Sequence, residues 1–78
     1  MDQKEFCTWL VEQKGFTVKT AHDVACRVRR LLSITGETEF TKDTLAKAEK
    51  DKAFPTFTMC VKSQLRRAAH LVCEYKGI

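Results

Sequence analysis

Three glycines and one proline are all this chain has of the residues that interrupt helices, and each falls where an apolar-periodic run stops. Gly15, Gly36 and Gly77 follow Lys14, Thr35 and Lys76, and Pro55 stands just ahead of the long run that begins at Phe57. Glycine takes the left-handed C-cap at least cost, while proline lacks the N–H and clashes with the preceding turn. Between these marks the apolar residues recur at helical spacing, and no strand-like alternation persists. The spacing therefore predicts an all-α fold in a single domain over residues 1–78. It is a compact bundle of four helices at about 2–14, 17–35, 41–53 and 58–76.

The last run is the longest without interruption. Thr58 is its candidate N-cap and Gly77 its C-terminal stop. At about 100° per residue, Val61, Leu65, Ala68, Ala69, Val72 and Tyr75 share one face. Cys60 and Leu71 lie nearly opposite, and apolar groups on two sides predict a central helix with several neighbours. Its outer edge is Ser63, Arg66, Arg67 and His70.

In the first helix, Asp2 is the expected cap and Phe6, Cys7, Leu10 and Val11 the apolar face, with Trp9 at its rim. In the second, Thr17 caps a core face of Ala21, Val24, Ala25, Val28, Leu31 and Leu32. Lys19, Asp23, Cys26, Arg30 and Ser33 lie opposite, with His22 and Arg29 to one side and Arg27 nearer the core edge. Lys19, Asp23 and Arg27 have the spacing of surface ion pairs. Lys19 and Thr20 also stand beside the free N–H groups of a first turn, a combination suited to phosphate. The third helix, capped by Thr41 and running from Lys42 to about Ala53, offers only Leu45, Ala46 and Ala48, so it is a thin cover anchored by Phe40 and Phe54.

Composition narrows the function. Seventy-eight residues leave little room for a deep pocket beside a core. No apolar run approaches the ~20 residues of a membrane span, and Met1 to Glu5 is too polar for a signal peptide, which predicts a cytoplasmic protein without membrane association. The net charge of +4 permits a polyanionic partner. The cysteines, Cys7, Cys26, Cys60 and Cys73, form no Cys-x-x-Cys pair and predict reduced packing residues, with neither disulfide nor metal. No nucleophile–base spacing and no glycine-rich phosphate loop is present, so no enzyme, cofactor or small-molecule substrate is expected.

In order along the chain, four stretches resemble the N-terminal core-binding (SAM-like) domain of the tyrosine recombinases, the phage integrase family. They are the aromatic-to-leucine start Phe6–Leu10, the Lys14-Gly-Phe-Thr-Val-Lys-Thr20 entry to the second helix, Phe40–Leu45, and Ser63–Ile78. The resemblance implies a non-catalytic DNA-binding module that forms half of a clamp on double-stranded DNA during recombination and integration. Carried over by position, its contacts are Lys19, Thr20, Asp23 and Arg27 on the second helix, and Lys62, Ser63, Arg66 and Arg67 on the fourth. Val24 stands where the family often has tyrosine, and Tyr75 is not the family's nucleophile, whose catalytic domain has no counterpart here. The chain is thus expected to be an excised piece or a stand-alone relative. The competing expectation is a helical protein-interaction module of the same fold that docks on a recombinase or another protein, its basic residues being ordinary surface.

Overall fold

The computed structural model describes residues 3–78. They form α1 (Gln3–Lys14), α2 (Val18–Thr35), α3 (Thr44–Glu49), a 3-10 turn (Phe54–Thr56) and α4 (Met59–Lys76). The fold is an all-α four-helix bundle. Asp2, the expected cap of α1, lies outside the described residues.

The two long helices begin on the caps the sequence predicts. Thr17 Oγ1 accepts the Thr20 N–H at 3.1 Å, and Thr58 Oγ1 accepts the Val61 N–H at 3.2 Å. Both end on glycines, Gly36 and Gly77, each at φ +74°, where an L side chain is strained even though open space surrounds both. Thr58→Ala should lower stability by about 1 kcal/mol, because one amide of the first turn loses its acceptor. Chemical denaturation checks this: an unmoved midpoint would show that the cap contributes nothing.

α2, not α4, is the hub. It packs against α1, α3 and α4, whereas α4 packs against α2 and α1. The reason lies in what each helix covers. Ala21, Ala25, Val28 and Leu31 of α2 are fully buried and Val24 nearly so, giving one broad occluded face. On α4 the main face behaves as expected, with Leu65, Ala68, Ala69 and Val72 buried, but of its second apolar side only Leu71 is covered and Cys60 is exposed. Short side chains at Ala21 and Ala25 let neighbouring helices approach this part of α2 closely.

The third helix is shorter than its expected span. Thr41 does not cap it; instead the Thr41 N–H donates to Thr44 Oγ1 at 2.9 Å, and Thr44 is wholly buried as the first helical residue. At the other end Asp51 Oδ1 accepts the Ala53 N–H at 2.9 Å, an aspartate turn that competes with helix continuation. The chain then enters the 3-10 turn carrying Pro55. Phe40 and Phe54 anchor the ends of this segment as expected, both nearly fully buried.

Two further ties close the bundle. Tyr75 packs its ring against Phe6 (centroids 5.2 Å apart) and edge-on against Trp9 (5.3 Å), joining the end of α4 to α1. Lys76 Nζ donates to Glu39 Oε2 at 2.9 Å and to the Phe40 carbonyl at 3.0 Å, which fastens α4 to the loop before α3. The hydrogen bond from Lys76 holds the Glu39 carboxyl below its ordinary pKa. Among the described residues, no helix is long and apolar enough to cross a membrane.

Candidate functional site

The cations of this surface divide by what they touch. Lys14, Lys47, Arg66 and Lys76 are each paired with a carboxylate, namely Glu74, Glu37, Glu49 and Glu39. Among the described residues Lys19, Arg27, Arg29, Arg30, Lys42, Lys50, Lys52, Lys62 and Arg67 have no such partner. Three of these rest on aromatic rings instead. The Arg30 guanidinium lies 4.5 Å from the Phe57 ring centre, Arg67 lies 6.0 Å from Phe16, and Lys62 Nζ lies 5.9 Å from Phe54. Such contacts are worth about 0.5–1 kcal/mol at exposed sites and leave the cation without a neutralising charge.

Phe57 immediately precedes the cap of α4 and Phe16 that of α2. Arg30 therefore reaches from late α2 to the start of α4, and Arg67 from mid α4 to the start of α2. The two helices run antiparallel, and the two arginines cross their seam in opposite directions. Arg27 sits one helical turn before Arg30 on the same flank of α2, half-buried, while Lys19 is exposed in the first turn.

The residues carried over from the resemblance do not all share this face. Lys62 and Arg66 lie on the other flank of α4, both over the Phe54 ring beside α3, and Arg66 Nη2 donates to Glu49 Oε2 at 3.1 Å. Ser63 is exposed between the two flanks. The Thr20 amide is already taken by the Thr17 cap, and the Thr20 hydroxyl accepts from Thr17 Oγ1 at 2.9 Å. The spacing of Lys19, Asp23 and Arg27 yields no ion pair: Asp23 is exposed and unpaired among the described residues. A surface pair of this kind gains only about 0.3–0.5 kcal/mol, which the entropy of two long side chains offsets. Arg30 is the addition that position-by-position transfer passes over, although its place three residues after Arg27 marks the same stripe.

Two of the cysteines depart from the packing role expected of them. Cys7 and Cys73 are partly buried against the core, and burial pushes both thiols up from their ordinary pKa. Cys26 and Cys60 are exposed: Cys26 lies opposite the buried face of α2, and Cys60 lies in the first turn of α4. No disulfide forms between the four. No cluster of three or more His, Cys, Asp or Glu side chains able to hold a metal occurs among the described residues. Between α1 and α2, Cys7, Val11, Val18 and Ala21 line an apolar cleft of about 240 Å³, rimmed by Lys4 and Glu12.

Compared with family models, curated proteins and solved structures, the chain matches none. This corrects the family reading. The resemblance to the tyrosine recombinase core-binding domain assigns no family, and the descriptions it carried are withdrawn with it: phage integrase, DNA recombination, DNA integration, and DNA binding as an inherited trait. What function the chain has must come from its own charges and surfaces.

Proposed function

We propose that the chain is a small non-catalytic module that lays the α2–α4 seam along the phosphate backbone of a duplex nucleic acid. The observation that supports this is the placement of Arg30 and Arg67 across that seam, each held on an aromatic ring and without a carboxylate partner, with Arg27 one turn before Arg30 and Lys19 in the first turn of the same helix. An uncompensated guanidinium held on a ring presents its N–H edge to a phosphate in an already ordered position, so less rotamer freedom is lost on binding. Asp23 beside the stripe opposes phosphate, which limits affinity. Contacts of this kind go to phosphate and not to base edges, so they position the duplex and do not read its sequence.

The salt dependence of binding tests this. Arg30 and Arg67, with Arg27 and Lys19 of the same helix, on four phosphates give a slope of log K against log salt of about −3.6, so affinity should fall on the order of 100-fold between about 50 and 200 mM salt. The dissociation constant near physiological salt should lie in the range of about 10⁻⁴–10⁻⁶ M typical of sequence-independent contacts. Fluorescence anisotropy with a labelled random-sequence DNA duplex measures both quantities. Absence of binding at low salt would overturn the reading. It would favour a protein-docking module instead, whose occupant would lie against the apolar α1–α2 cleft, where Val18 is 76% exposed.

A further inference from the structure

The outer face of α2 carries a second arrangement, distinct from the seam in its chemistry. Cys26 Sγ lies 3.6 Å from His22 Nε2, one turn earlier on the helix. One turn later, Arg29 and Arg30 join Cys26 and Ser33 as the lining of an open cleft of about 330 Å³. Arg29 is steadied by Gln3, whose Oε1 accepts from its Nη1 at 3.4 Å, and Arg30 by the Phe57 ring. Neither arginine has a carboxylate partner among the described residues, so a thiol with an adjoining imidazole opens into a cleft of uncompensated positive charge.

We propose that Cys26 is a thiol–disulfide exchange site for a small anionic disulfide whose carboxylates are held by Arg29 and Arg30. With the His22 tautomer that leaves Nε2 unprotonated, the Cys26 S–H proton passes to Nε2. The thiolate sulfur attacks one sulfur of the disulfide; a new S–S bond forms to Cys26, the old one breaks, and its electron pair leaves on the departing thiolate. That thiolate takes the proton back from the imidazolium. The balance is one thiol and one disulfide in, one mixed disulfide and one thiol out, with the disulfide as the only oxidant. The exchange shares Arg30 with the seam but does not require that the chain bind nucleic acid.

Cys60 is the internal control. It is also exposed, in the first turn of α4, but it lines neither cleft. Its rate reports ordinary thiol reactivity, and the difference between disulfides of opposite charge reports the arginines. The full chain is incubated with oxidised glutathione, which is anionic, or with cystamine, which is cationic, and adducts at Cys26 and Cys60 are timed by peptide mass spectrometry. The ratio of the Cys26 rate to the Cys60 rate should be about tenfold higher with oxidised glutathione than with cystamine. Arg29→Gln with Arg30→Gln, checked for retained helicity by circular dichroism, should erase that difference. His22→Gln should slow Cys26 with both disulfides and leave Cys60 unchanged. Equal ratios for the two disulfides, or a ratio that survives the double substitution, would overturn the proposal.

Discussion

Leu65→Ala should lower the thermal midpoint of this domain by about 10 °C or more, whereas Cys60→Ala on the same helix should leave it nearly unmoved. Leu65 is 1% exposed at the centre of the buried face of α4, which meets α2. Truncation removes the transfer energy of the lost methyl groups and leaves a cavity, together about 2–5 kcal/mol. A chain of this length has of the order of 4–12 kcal/mol in total, so the loss takes a large share of it. Phe6→Ala belongs to the same class, since that ring is fully buried against Trp9 and Tyr75 and its removal uncouples α1 from the end of α4. A small shift for Leu65→Ala together with a large one for Cys60→Ala would mean that the opposite face of α4 is packed inside. Thermal melts followed by circular dichroism decide between them.

The comparison of Leu65 with Cys60 also shows where helical periodicity is informative. An apolar arc on one helix states which side is buried, and that was legible for α1, α2 and the main face of α4, as were the threonine caps and glycine stops. Periodicity does not state how many neighbours a helix has. A second apolar side made of Cys60 and Leu71 looks the same whether or not a partner covers it, so periodicity points to α4 as the hub, whereas α2 packs against all three other helices. The third helix failed for a local reason: Thr41, Thr44 and Asp51 have side chains that bond their own backbone, and helix propensity takes no account of that competition. For the candidate site, the sequence marked two basic helices but not their relation. Only the antiparallel packing of α2 on α4 brings Arg30 and Arg67 to one seam, and only the position of Glu49 removes Arg66 from the free charges.

That relation makes charge removal position-dependent. Arg30→Gln with Arg67→Gln should weaken duplex binding strongly and reduce the salt slope by about 1.8, since each lost phosphate contact returns about 0.9. Lys50→Gln with Lys52→Gln removes the same formal charge from the exposed chain beyond α3 and should leave the slope nearly unchanged. Arg66→Gln should have little effect of either kind, because its charge is already met by Glu49. Loss of the Arg30–Phe57 and Arg67–Phe16 contacts costs some stability, about 0.5–1 kcal/mol each, so binding is compared at a temperature where circular dichroism shows every variant folded. The slope is the discriminating readout. A partly unfolded variant lowers the apparent affinity by a constant factor at each salt concentration, whereas a lost phosphate contact changes how affinity responds to salt. If the seam pair and the α3 pair reduce slope and affinity alike, attraction follows net charge alone. The α2–α4 seam would then have no more claim to the nucleic acid than the rest of the surface.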